Sequence, residues 1–156
     1  MIIVHDAANY HRIKEINTSG HIVCGAGGHR RAVCVTNEPE ELVVLDSDGV
    51  SQVLSLSSSP SCCAISVTDD LIAVAFRDGC SEMVCRCSHS GTVSAYHLGL
   101  NGPVLRFHSS RLHHHGDYAT AISQVQFSVD GSQIVTVGHD ERTVKVISAV
   151  DGESFL

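Results

Sequence analysis

Cys80, Cys85, Cys87 and His89 fall in a C-x4-C-x-C-x-H pattern, and their thiolate and imidazole groups are donors suited to zinc. A zinc-binding module is therefore one reading of the chain. The spacing is not a usual finger pattern, however. On a strand, Cys85, Cys87 and His89 would project to one side and crowd a tetrahedron. Free thiols in a connecting insertion are the plainer reading, so no metal is expected. His113-His114-His115 adds three imidazoles, but a polar run of this kind in a loop is ordinarily solvated. Met1-Ile2-Ile3-Val4 is followed at once by His5 and Asp6, which is not a secretory pattern. Seven cysteines in that context predict reduced thiols in a cytoplasmic protein rather than a disulfide framework.

Catalytic patterns are sparse. A Gly-x-Ser-x-Gly elbow is absent, and no histidine is tied by sequence to a nucleophile or an orienting acid. Gly25-Ala26-Gly27-Gly28 lacks the Lys-Ser/Thr ending of a phosphate loop, and no helix pattern follows it to hold a phosphate at its N-terminus. A turn between strands accounts for it better. His139-Asp140 likewise reads as turn architecture. No catalytic or cofactor-binding residue is expected, and the chain is read as a non-enzyme. The formal charge of -7 disfavours phosphate-backbone binding, with Arg30-Arg31 the sole hint of a basic cluster. No apolar run is long enough to cross a bilayer. Neither nucleic acid nor membrane is an expected partner.

The elements that must position these residues are strands. Ile122, Val125 and Phe127 approximate a period of two around polar neighbours. Asp130-Gly131 supplies a turn, because glycine tolerates positive φ and aspartate caps its own backbone. Ile134-Val135-Thr136-Val137 is β-branched throughout and favours a pleated surface. Gly138-His139-Asp140-Glu141 reverses the chain into Thr143–Ile147. Asp130, Gly131 and Asp140 are thus structural turn residues. An upstream copy aligns Ala64–Val67, the acidic turn Asp69-Asp70, Leu71–Val74 and Gly91–Tyr96 with the same sequence of strands. Between Phe76 and Gly91 it carries an insertion, Arg77 to Ser90, where the downstream copy has a tight turn. Pro103–Phe107 reads as an outer strand, Leu42–Leu45 and Val53–Leu56 as the last two strands of an earlier unit, and Ile22–Gly25 with Arg31–Thr36 as its inner pair. A repeated all-β unit is the mark of a stacked architecture.

The phrase VQFSVDGSQIVTVGHDERTVKV resembles the repeat of WD-repeat β-propellers, whose blades are four-stranded antiparallel sheets. The resemblance covers Ala121 to Ala149 most closely and Ser61 to Leu98 next. It implies about three blades: a partial one over 1–60, one over 61–108 with the insertion at 77–90, and a link plus a blade cut short at its outer strand over 109–156. The family's closing Trp-Asp pair is Ile147-Ser148 in one copy and Tyr96-His97 in the other. The hydrogen-bonded tetrad that uses that Trp therefore cannot form, and apolar packing must carry more of the stability. Asp140 matches the family's turn aspartate, and His115 is the candidate for its loop histidine. Closed propellers have about four to eight blades, so 156 residues are expected to be a fragment of a longer propeller. Assembly of several copies into a ring is the alternative.

Phrases from Leu42 to Gly152, among them Cys63–Val67, Gly91–Tyr96 and Ile122–Ser128, are similar to the actin-interacting protein 1 family, cytosolic proteins with two linked propellers. That resemblance implies a non-catalytic scaffold that binds actin filaments together with cofilin and promotes their disassembly, placing it with the cytoskeleton. The alternative within the broader family is an adaptor subunit of a ubiquitin-ligase, trafficking or chromatin complex. Either function would use loops on a rigid frame, and the candidate presenters are the Arg77–Ser90 insertion and the Ser109–Thr120 link.

Overall fold

In the computed structural model, residues 1–77, 91–115, 118–139 and 143–155 are described. They form fifteen strands and no helix. β1 (Ile2–His5) and β2 (Arg12–Ile16) make a hairpin that no periodicity in the sequence announced. β3 (His21–Gly27), β4 (Ala32–Asn37), β5 (Glu41–Asp46) and β6 (Gly49–Ser55) form a four-stranded antiparallel sheet. β7 (Pro60–Ile65), β8 (Leu71–Phe76), β9 (Val93–Gly99) and β10 (Gly102–His108) form a second. A two-residue pair, β11 (His114–His115) and β12 (Tyr118–Ala119), then interrupts the stretch expected to be a plain link. β13 (Ile122–Phe127), β14 (Gln133–Gly138) and β15 (Val144–Ser148) form a third sheet, with Ser154 bridging to Ile147 outside β15. The fold is all-β, in partial propeller blades. The strands read from Ile22, Arg31, Leu42, Val53 and Pro103 onward fall in β3, β4, β5, β6 and β10.

Each sheet's first strand carries the same irregularity. The pairing skips one residue between Ile22 and Cys24 on β3, between Pro60 and Cys62 on β7, and between Ile122 and Gln124 on β13. A bulge adds one residue to one strand and shifts the side-chain alternation behind it. That is why Ile122 and Val125, an odd number of residues apart, are both buried on the same side with Phe127.

The sheets stack face to face, and alternation divides the second sheet's β7 and β8 between two cores. From β7 and β8, Cys63, Ile65, Ile72, Val74 and Phe76 point at the first sheet's Val33, Val35, Leu42 and Val44. Cys62, Ala64, Leu71, Ala73 and Ala75 point the other way, at Ile122, Phe127, Ile134 and Ile147 of the third. Sizes are matched across the gaps: alanines on the second sheet meet bulky isoleucines and a phenylalanine, so the two faces interdigitate. On the remaining face of the first sheet, Cys34, Val43 and Leu45 are covered by Ile2 and Ile16 of the β1–β2 hairpin. Every residue of β8 is buried, as expected for a strand covered on both sides.

Ile72 has no exposed surface and lies between the first two sheets. Ile72→Ala should destabilise the chain by about 2–5 kcal/mol through lost transfer energy and a residual cavity. Val129→Ala, at a residue that is 89% exposed, should change it by less than about 0.5 kcal/mol. Urea unfolding followed by far-ultraviolet circular dichroism gives both midpoints; similar shifts for the two variants would show that the sheets do not stack as described.

Candidate functional site at the loop end of the sheets

β8 and β10 each pair antiparallel with β9, so they run parallel to one another and leave the second sheet at the same end. The segment after Phe76 and the segment after His108 therefore begin at the same end of the sheet, one strand apart, although 32 positions separate those residues. Hydrogen bonds lock their bases together. Ser109 N–H donates to the Val93 carbonyl at 2.8 Å, the Val93 N–H donates to Ser109 Oγ at 2.9 Å, and Leu112 N–H donates to the Gly91 carbonyl at 2.9 Å. Gly91 has φ +71°, and a Cβ there would lie 2.5 Å from the His113 carbonyl oxygen. Glycine is required on both counts. The two candidate presenters thus share one rigid root.

His113 completes that root. It is fully buried, with Nε2 2.8 Å from Thr136 Oγ1 on β14 and Nδ1 3.3 Å from Thr143 Oγ1. His114 and His115 follow it in β11, paired with Ala119 and Tyr118. Gly138 accommodates the ring: a Cβ there would stand 2.6 Å from Nδ1. Across the β14–β15 ladder, fully buried Ile147 opposes fully buried Ile134. The histidine–threonine bond is thus combined with an apolar pair.

The opposite end of the sheets carries acidic turns. Asp130 Oδ1 accepts from Ser128 Oγ at 2.6 Å, from Ser132 Oγ at 2.8 Å and from the Ser132 N–H at 3.0 Å. The Ser128 hydroxyl first, then the backbone and hydroxyl of Ser132, hold this carboxyl down at about 2. Gly131, at φ +72°, closes the turn as expected. Asp70 is lowered too, chiefly by the Thr68 hydroxyl. Asp69, at φ +61°, does something the sequence did not disclose: it reaches the first sheet and accepts the His29 and Arg30 N–H groups, both at 2.7 Å. Gly28 must lack a side chain because a Cβ would collide with that carboxylate. The glycine-rich stretch, expected as a turn, is instead mostly strand: Gly25, Ala26 and Gly27 pair with Cys34, Val33 and Ala32 in β3, and only Gly28 enters the turn that the Asp69 carboxylate caps.

Asp140 and the metal candidates Cys80, Cys85, Cys87 and His89 lie outside the described residues. Among the described residues, no group of three or more His, Cys, Asp or Glu could hold a metal ion. Cys24, Cys34, Cys62 and Cys63 are free thiols.

Two measurements test this geometry. Gly138→Ala should cost about 1–3 kcal/mol by overpacking against the His113 ring, and much of that cost should vanish in a His113→Ala background. Additive costs in the double-mutant cycle would show that the two positions do not touch. For Asp130 the folded carboxyl titrates below its ordinary value of 3.8. The stabilisation it brings is complete above that value and is lost as pH falls toward 2. Asp130→Asn should remove this part of the acid dependence, read as the change in urea midpoint between pH 4 and pH 2.5 in variant and parent.

No protein-family profile matches the chain, and no curated protein matches it. Solved structures do. The chain superposes on hydrazine synthase of Kuenenia stuttgartiensis with a TM-score of 0.71 at 18% identity, over 99% of this chain and 41% of that one. It superposes on a chain from the complex of KlAtg21 with the coiled-coil of AgAtg16 with a TM-score of 0.68 at 17% identity, over 94% of this chain and 46% of that one. The chain spans less than half the length of either, and at such identities the likeness is one of fold.

Proposed function

We propose that this chain is a non-catalytic scaffold of the WD-repeat type, and that it acts on actin filaments together with cofilin, promoting filament disassembly in the cytoplasm. The observation that carries the scaffold reading is the shared root at the loop end: the segments starting at Arg77 and Ser109 leave one sheet at the same end, on a frame buried on both faces. Binding residues sit preferentially on loops rooted in a stable frame of this kind. The actin and cofilin assignment rests on the phrases at Leu42–Leu45, Cys63–Val67, Gly91–Tyr96 and Ile122–Ser128.

A second reading, the adaptor of another multiprotein complex, draws on a different surface. The outer strands β6 and β10 approach one another and leave Val50, Val53, Val104 and Leu105 exposed. Exposed aliphatic residues on outer strands suit apolar side chains of a partner, and one solved neighbour was captured with a coiled-coil.

Co-sedimentation with filamentous actin, with and without cofilin, tests the first reading. Pelleting that rises with cofilin is expected, together with a loss on the order of tenfold or more in affinity when residues 77–90 are replaced by a short Gly-Ser turn. A chain that stays in the supernatant under both conditions refutes the actin reading. If Val104→Asp then abolishes binding to a helical partner, the adaptor takes its place.

A further inference from the structure

The repeating bulge determines which cysteines meet. On β7, Cys62 follows the bulge and faces the third sheet, with Sγ 3.7 Å from the Ile122 carbonyl oxygen, while Cys63 faces the first sheet. Cys24 occupies on β3 the position that Cys62 occupies on β7, so it faces forward onto the second sheet. Cys24 and Cys63 consequently look at each other across the interface. Cys63 Sγ lies 3.8 Å from the Cys24 carbonyl oxygen and 3.9 Å from that of Val33. Cys34 points instead at the β1–β2 hairpin side and is buried there.

The two thiols are unlike. Cys24 is half-buried, whereas Cys63 is buried. The Cys63 S–H, then the backbone N–H of Cys63, stabilise the Cys24 thiolate against the opposing effect of burial and bring it down to about 6. Cys63 moves the other way, held protonated by its bond to Cys24 and by burial. The other titratable groups coupled to Cys24 from the packed strands are Cys34 on β4 and Cys62 on β7, and burial pushes both upward.

We propose that Cys24 is a modification site, a reactive thiol taken first by hydroperoxides and other thiol-directed electrophiles, and that Cys63 resolves its oxidised form into a disulfide joining the first two sheets. The Cys24 thiolate attacks one oxygen of the hydroperoxide, the O–O bond breaks, and the alkoxide or hydroxide leaves and takes a proton from water. Cys24 becomes a sulfenic acid. The Cys63 sulfur then attacks the Cys24 sulfur, the S–O bond breaks, and the departing hydroxide takes the Cys63 proton to leave as water. Each sulfur gives up one electron, and the two together reduce one peroxide bond.

The test uses the full chain. Alkylation by iodoacetamide, mapped by peptide mass at pH 5 to 9, should modify Cys24 before Cys34, Cys62 and Cys63, with a half-maximal rate near pH 6. At pH 6 it should react on the order of tenfold faster than glutathione, the larger thiolate fraction outweighing the lower nucleophilicity of a low-pKa thiolate. Hydrogen peroxide should give a Cys24–Cys63 peptide pair two hydrogens lighter, with Cys34 and Cys62 still reduced. Cys63→Ala should accumulate a dimedone adduct on Cys24 and move the half-maximal rate toward the ordinary thiol range. Cys63→Ser keeps a hydroxyl donor and should hold that rate low while forming no disulfide, which separates the positioning bond from mere folding. Labelling of Cys24 no faster than Cys34, or a disulfide from Cys24 to any other cysteine, overturns the proposal.

Discussion

Burial of the second sheet on both faces is the constraint on which the remaining structure depends. A strand such as β8, with Leu71, Ala73 and Ala75 on one side and Ile72, Val74 and Phe76 on the other, gains its burial only when a sheet lies against each face. The first and third sheets supply those faces, and each gains its own core by doing so. Stability in such an array is a sum over neighbour interfaces rather than a property of any one sheet. The β1–β2 hairpin extends the same logic, covering the first sheet's second face with Ile2 and Ile16.

Polar groups are placed where this stacking leaves backbone to be satisfied. Asp69 caps a turn belonging to the neighbouring sheet, so two sheets related by apolar contact are also fixed in relative height by two charge-assisted hydrogen bonds. His113 does the corresponding work at the other end, tying the link before β13 to Thr136 within the third sheet. Three glycines mark the closeness of these approaches. Gly28, Gly91 and Gly138 each stand where a Cβ would strike a carboxylate, a carbonyl or an imidazole. Cys24 and Cys63 are a third polar contact of this kind, formed directly between the first strands of adjacent sheets.

Much of the architecture was readable from local chemistry. The β-branched run at Ile134–Val137, the Asp130-Gly131 turn and the repeated strand–turn–strand phrasing announced hairpins, because a strand's alternation and a turn's φ are set by residues within a few positions of one another. The short β1–β2 hairpin is not legible in this way, for the same reason. Ile3, Val4 and Ile13 are exposed and carry no buried alternation, so its pairing rests on contacts with Ile16, Cys34 and Leu45 that no local pattern records. The bulges were equally silent: a single extra residue looks like a lapse in periodicity until its partner strand is in place.

What the sequence by itself determined is the all-β class, the order of strands within each sheet and the turn roles of Asp130 and Gly131, all consequences of backbone preference at short range. What only the tertiary structure decided is which distant groups share an interface. Asp69 finds the His29 and Arg30 amides, His113 reaches Thr136 in the core, and Cys24 meets Cys63. Each depends on which face a side chain takes after a bulge or a pairing register is fixed, and a shift of one residue would turn it to the opposite face. Register is settled by the packing of whole sheets against one another, and no stretch of sequence contains that information alone.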